Sequence, residues 1–425
     1  MSWTHYEKLD ETCFCQRLAN GLTVKVIPKA GFTRKLAYFV TDFGAIHRDF
    51  ILDGQRYHTP AGVAHFLEHK MFELPQRDVT AEFAALGGNV NAFTSFDMTA
   101  YYFSCTEHFQ ENLQLLLEFV STPYFTEESV NREYGIIDQE IAMNEDTPDS
   151  REFSALMQKM YQIHPVRTEI LGTRDSIRQI TPEILHVCHR AFYTPANMIL
   201  CVVGDVQPEE VLKIVRDTLP EEYFAPAEKI KNWDEPMQCD QEIARLSQEV
   251  AMPTFQLGFK CEPAGRADAA LRADVIGYLA AEMLFGESSS LYLQLYEEGI
   301  IDTSFGGGFE TIDGCAMLTC GGDSDEPMKI YKAVLDKAAE LVENGLQEQE
   351  FLRLKRGAMG RRLRDLDSFD AICFRQCAYH FLGFDYFCFP AVYADVKTED
   401  IREFLARVVR MERSAMAITE PLKEE

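Results

Sequence analysis

The order of periodic segments along the chain occurs twice, and that repeat most constrains the fold. Two strand-like stretches, Leu22 to Ile27 and Lys35 to Val40, open the first round, the former behind an Asn20-Gly21 turn that fits a hairpin. Helical patterns follow over 61–72 and from Val79 to a stop at Gly87-Gly88. Asn89 to Ser104, rich in Thr, Phe and Tyr, reads as one or two strands. Helices are expected over 107–120, 127–145 and 150–162, and the apolar run Met198 to Gly204 suits a buried strand. The second round has a strand over 248–260, helices over 267–285 and 290–298, and paired strands over 303–309 and 315–321. Helices over 327–344 and 347–366 complete it. Between the rounds, 219–243 is rich in Pro and charge and has no period.

A single long-range repeat of this kind is a duplication of whole domains, not a short-period solenoid. The expected fold class is therefore α+β: two homologous domains, each a mixed or antiparallel sheet packed with helices. The expected division is 1–220, a linker over 221–245, and 246–425. A chain of 425 residues buries ample core without disulfides or a structural metal, so any metal is free to be catalytic.

Charge narrows the partners. Lys plus Arg number 41 against 68 Asp plus Glu, a formal net charge of −27. Such a surface repels phosphate backbones and anionic lipid heads, so neither nucleic acid nor a membrane is expected as partner. The twelve cysteines follow no disulfide-framework spacing, and Cys188, Cys201 and Cys261 lie in apolar runs as small buried hydrophobes. The opening residues lack the basic and apolar regions of a signal peptide, and no stretch approaches 18 apolar residues. With many free thiols, this points to a reducing, cytoplasmic location.

The chemistry concentrates in His65-Phe66-Leu67-Glu68-His69. Residues four apart on a helix share a face, so His65 and His69 can grip one ion, with Glu68 beside the pair. H-x-x-E-H is the inverted form of the H-E-x-x-H zinc-protease signature. Three fixed positions in five also arise by chance, so context decides. A two-histidine zinc site needs a third protein ligand and keeps its fourth position for water. The helix over 127–145 offers Glu133 and Glu140, seven apart on one face beside an apolar stripe of Ile136, Ile137 and Ile141. A carboxylate turned inward there is costly unless paired, and a metal would pair it.

Read together, Gly62 to His69, Leu86-Gly87-Gly88-Asn89-Val90-Asn91-Ala92-Phe93-Thr94 and the Glu133/Glu140 pair resemble the pitrilysin and mitochondrial processing peptidase family, the inverted zincins. The likeness extends to Asn20-Gly21-Leu22, Leu171-Gly172 and Tyr193 to Met198, and is closest to the half-length bacterial members. It implies one Zn2+ per chain on His65, His69 and Glu140, with Glu68 as general base. Glu133 would orient a ligand histidine through its other ring nitrogen. The strand carrying Asn89, Asn91, Ala92, Phe93 and Thr94 would take a peptide substrate as an added strand.

The same resemblance implies a clamshell in which a two-domain chain pairs with another, as a homodimer or as a heterodimer with a related chain. The implied activity is metalloendopeptidase cleavage of small unfolded peptides or peptide precursors. The alternative is a non-catalytic peptide-binding or scaffold subunit of a heterodimeric peptidase. The chain departs from the family in its second half. Where many relatives carry an Arg and a Tyr seven apart, it has Tyr296 and Thr303. Tyr292, Tyr296 or the Gly306 to Gly308 backbone could substitute, although core packing is the expectation for both tyrosines. His164, His186 and His189 lack fitting partners and are expected to be structural.

Overall fold

A computed structural model describes residues 2–231 and 233–422. Met1, Asn232 and 423–425, which fall within the expected ranges 1–220, 221–245 and 246–425, lie outside the described residues. The chain forms two compact α+β units.

The first unit gathers the residues up to Ile141, Glu169–Lys231 and Leu363–Phe387. Its sheet has seven strands: β1 (Ser2–Tyr6), β2 (Glu11–Arg17), β3 (Thr23–Pro28), β4 (Lys35–Thr41), β5 (Asn89–Thr94), β6 (Thr99–Cys105) and β7 (Met198–Gly204). They lie in the order β1-β2-β3-β7-β4-β6-β5, with β3 and β7 parallel and the other neighbours antiparallel. Every residue of β7 is buried, because it is central and covered on both faces. Met198, Leu200 and Val202 join the main apolar core. On the alternate face Cys201 meets the helix Phe369–Phe381 through Cys373, whose thiol lies 3.7 Å from the Cys201 carbonyl.

The second unit comprises Ala142–Thr168, residues 233–362 and the chain from Cys388 onward. Its strands are β8 (Ala244–Gln248), β9 (Thr254–Cys261), β10 (Gly306–Ile312), β11 (Cys315–Asp323) and β12 (Ser414–Pro421). Their order β8-β12-β9-β11-β10 reproduces β3-β7-β4-β6-β5, down to the parallel pair β8 and β12. The duplication read from the sequence is thus a duplication of sheet topology. The strand expected over 248–260 starts only at Thr254, as β9, and β8 before it ends at Gln248. Pro253, which has no N–H to donate, stands immediately before β9.

The compact units also depart from a contiguous division of the chain. The helix Pro148–Met160, expected with the first half, packs in the second unit on β12 and β9. There the buried Glu152 Oε1 accepts from the Thr254 hydroxyl and from both the N–H and the hydroxyl of Thr419. The helix Phe369–Phe381, from the second half, packs in the first unit on β7 and β4. Buried Lys25 donates to Gln376 Oε1 at 2.7 Å in that contact. The segment expected as linker is hydrogen-bonded along its course. Glu228–Lys229 pairs with the short strand Asp49–Leu52, the Cys239 N–H donates to the Glu412 carbonyl, and Ala244 already begins β8.

Candidate metal centre

Two helices of the first unit build the site: α1 (Val63–Met71) and α2 (Glu127–Glu145). α1 starts without a side-chain cap, at Gly62 in the left-handed region with φ of 87°. A side chain there is excluded twice over, since a Cβ would lie 2.4 Å from the Leu171 carbonyl oxygen. Gly172 returns the constraint, its Cβ position lying 2.5 Å from the Ala61 oxygen. Val63, Ala64, Phe66, Leu67 and Met71 fix α1 in the core. The ring edge of Phe66 on Tyr134, centroids 5.5 Å apart, ties α1 to α2.

α2 begins with a reciprocal cap, in which Thr126 Oγ1 accepts from the Ser129 N–H while Ser129 Oγ accepts from the Thr126 N–H. Its buried face is Ser129, Val130, Glu133, Ile137 and Ile141. The apolar stripe is narrower than the sequence reading, because Ile136 is 51% exposed. The rotation puts Glu133 inside the stripe and Glu140 at its edge.

The side chains converge as follows. The rings of His65 and His69 are 4.6 Å apart between centroids. His65 Nε2 lies 3.5 Å from Glu140 Oε1, and His69 Nε2 lies 3.6 Å from Glu140 Oε2. One ligand atom from each of the three residues falls within 4.8 Å of the others, the one such group among the described residues. Tetrahedral bonds of about 2.0–2.1 Å to zinc place neighbouring donor atoms about 3.3 Å apart, so this set fits the ion. Two imidazoles and a carboxylate leave a fourth position open, as catalytic zinc sites do.

His69 Nδ1 lies 3.0 Å from Glu133 Oε1. With the carboxylate accepting, Nδ1 carries the proton and Nε2 keeps its lone pair toward Glu140. His65 Nδ1, also buried, has no such partner among the described residues. Of the two histidines, only His69 thus has its Nδ1 held by a side-chain partner among the described residues.

Charge follows from burial and these contacts. Burial raises the pKa of Glu68, against the Thr94 hydrogen bond and the two histidines, which lower it; the net shift is upward. For Glu133 burial also pushes upward, but the His69 hydrogen bond and the Lys70 charge prevail and hold it below the usual carboxylate range. Glu140 is lowered by its contact with His65. Burial pulls His69 down, while Glu133, Glu68 and Glu140 together outweigh it and raise its pKa. The arrangement is a cluster of carboxylates around two imidazoles, a set of charges that favours a cation.

β5 is the open edge of the sheet beside α1. Asn89 and Asn91 are exposed along it, and Val90, Ala92, Phe93 and Thr94 are half-buried. The Ala92 N–H donates to Asn91 Oδ1 at 2.9 Å, and Phe93 packs against Phe374 with centroids 5.9 Å apart. Thr94 stands apart from its neighbours: its hydroxyl donates to Glu68 Oε2. From sequence, Thr94 groups with the strand expected to bind peptide, and nothing local signals its contact with Glu68. Lys70 was missed altogether. It follows the second histidine on a core helix, where a lysine is rarely buried, and only that context marks it.

In the second unit, Tyr292 is buried as expected, whereas Tyr296 is 49% exposed and stacks on it at 5.9 Å between centroids. Gly306, Gly307 and Gly308 lie in β10, the edge strand of that sheet. His164 and His189 each bond a backbone carbonyl, of Asp313 and Val120 respectively, in keeping with structural roles.

The chain matches two family models, Insulinase (Peptidase family M16) over residues 50–174 and Peptidase M16 inactive domain over residues 179–358. It is 37% identical over 418 residues to the Bacillus subtilis (strain 168) protein called Uncharacterized zinc protease YmfH, covering 96% of each chain. A crystal structure of an M16-like peptidase from Alicyclobacillus acidocaldarius superposes with a TM-score of 0.93 at 32% identity, covering 97% of this chain and 99% of that one. The periplasmic protease PqqL of Escherichia coli shares the fold at a TM-score of 0.73 and 18% identity. There the match covers 99% of this chain and 48% of PqqL. No helix among the described residues is long and apolar enough to cross a membrane. The two matched domains, the duplicated sheet and the inverted motif have one common source: the chain belongs to peptidase family M16, the insulinase family.

Proposed function

We propose that the chain is a zinc-dependent endopeptidase acting on small unfolded peptides or peptide precursors, with His65, His69 and Glu140 as ligands and Glu68 as general base. The observation that carries this reading is the spacing of the three ligand atoms, 3.5 and 3.6 Å across the histidine–glutamate edges, with a buried carboxylate alongside. Zinc held by such a set supplies a Lewis acid that acidifies water and polarises a carbonyl. Glu68 takes the proton of the attacking water as the oxygen joins the scissile carbon. It then gives that proton to the departing amine nitrogen as the C–N bond breaks. Glu133 holds His69 in the tautomer that leaves Nε2 free for the metal.

Peptide binding is assigned to β5. An extended chain laid along this edge takes up its free backbone groups and accepts many side chains, which suits unfolded substrates. Asn91 would first have to release the Ala92 N–H, so its amide acts as a stand-in for the incoming strand. The reading includes pairing with a second copy or a related chain, in keeping with a match that spans about half of PqqL. It also retains a cytoplasmic location, argued from the twelve cysteines, all of them free.

The test is metal content together with cleavage of a quenched-fluorescence peptide library, for wild type and Glu68→Gln. Near-stoichiometric zinc in both, with hydrolysis only in wild type, is the expected result. Zinc without hydrolysis in either would favour the non-catalytic subunit or a missing partner chain. A wild type that takes up no zinc would sink the proposal.

A further inference from the structure

Lys70 follows the second motif histidine and is among the most buried charged residues of the protein, 1% exposed. A core position filled by an ammonium group needs a reason, because an apolar side chain of similar volume is often no less stable there. Its neighbours supply one. The ammonium reaches Glu73, the Ser129 carbonyl at 3.4 Å and Glu133 Oε2 at 3.5 Å. Glu133 thereby has both oxygens assigned, Oε1 to His69 Nδ1 and Oε2 to Lys70. Glu73 is in turn gripped from the surface by Arg132 at 2.7 Å. An alternating chain of charges, Arg132, Glu73, Lys70, Glu133, thus leads to His69, a proposed metal ligand.

We propose that Lys70 is a positioning residue for His69, acting through Glu133. A carboxylate bonded at one oxygen can still swing about its side-chain torsions. Bonded at both, it has one orientation, and its Oε1 lone pair stays aligned with the imidazole N–H. That fixes the His69 ring plane and tautomer, so that Nε2 faces Glu140 before any ion arrives. Pre-set ligands bind more tightly because less order is imposed on binding. This inference rests on the metal reading above but concerns affinity for zinc, not turnover.

The experiment is zinc affinity of the full chain, measured by competition with a chromophoric chelator, for wild type, Lys70→Met, Glu133→Gln and the double variant. Loss of an outer partner of a ligand histidine typically weakens binding by about 10–100-fold, and that is expected of each single variant. Because both changes break one linkage, the double variant is expected to bind no more weakly than the worse single one. A merely space-filling lysine would instead leave affinity unchanged, or add its effect independently to that of Glu133→Gln; either outcome overturns the proposal. Should Lys70→Met fail to fold, Lys70→Gln, which keeps a polar head but no charge, is read against the same criteria. Absence of zinc from wild type sinks the metal centre and this inference together, whereas equal affinity in wild type and folded Lys70→Met sinks the inference alone.

Discussion

The Thr94 hydroxyl donates a hydrogen bond of 2.6 Å to Glu68 Oε2. The last residue of the edge strand thereby holds the proposed base, so the surface that would receive a peptide and the group that would activate water are one mechanical unit. Thr94→Val keeps the branched shape and removes the donor. A hydrogen bond to a charged group contributes roughly 1.5–3 kcal/mol, so kcat/KM should fall by about 10–100-fold while zinc content stays at the wild-type level. A variant as active as wild type would show that Glu68 needs no such support.

Glu140 differs from the histidines in being half-exposed at the margin of α2, so its removal should cost the apo fold little. Its value is expected to lie in the ion. Glu140→Gln should weaken zinc binding by more than the roughly 10–100-fold typical of an outer partner. The melting temperature gives a second readout, since an ion at about 100 times its dissociation constant stabilises by about 2.7 kcal/mol. A chelator should lower the melting point of wild type and leave Glu140→Gln where it was.

How much of this was legible in the sequence depended on the range of the interaction. The histidine pair, Glu68, the Glu133/Glu140 face and the strand pair after Gly87-Gly88 are all local in chain, fixed by helix and strand periods. Each lies in the element read for it. Long-range choices were not legible. Nothing in Pro148–Met160 or Phe369–Phe381 announces which unit it joins, because an amphipathic helix specifies that it will be buried but not against what. The contacts that decide it, Glu152 with Thr254 and Thr419 or Lys25 with Gln376, pair residues 102 to 351 positions apart. Ile136 misled for a simpler reason: three isoleucines within six residues do not all fit one helical face, and the outermost one stays in solvent.

Stability should depend on pH through the buried histidines. Burial pushes His189 down to about 4, and its Nε2 faces the Val120 carbonyl at 3.1 Å, which holds the neutral ring as a donor. The unfolded chain takes up this proton near 6.5 and the folded protein near 4, so the stability it supports is present above 6.5 and lost as pH falls toward 4. The total is on the order of 3 kcal/mol. His189→Gln keeps a donor for Val120 but cannot titrate. Urea midpoints measured at pH 7 and pH 5 should therefore converge in the variant relative to wild type. The convergence is partial, because His380 is likewise pushed down to about 4 and remains.

The close approach at the start of α1 offers a test of how rigidly the site is mounted. Gly62 faces the Leu171 carbonyl and Gly172 faces the Ala61 carbonyl, so the two loops lock against each other without side chains. Both glycines have positive φ, 87° and 75°. Alanine in this backbone region costs roughly 1–2 kcal/mol from conformation alone, and a Cβ at 2.4 Å from a carbonyl oxygen forces the loops apart in addition. Gly62→Ala should destabilise the protein by about 2–4 kcal/mol and weaken zinc binding, since His65 lies only three residues into the helix it displaces. Gly172→Ala should do the same from the opposite loop. Once one alanine has opened the gap, the second finds room, so the double variant should lose less stability than the sum of the singles. Strict additivity in chemical denaturation would mean that the two loops yield independently and that α1 is anchored by its core residues alone.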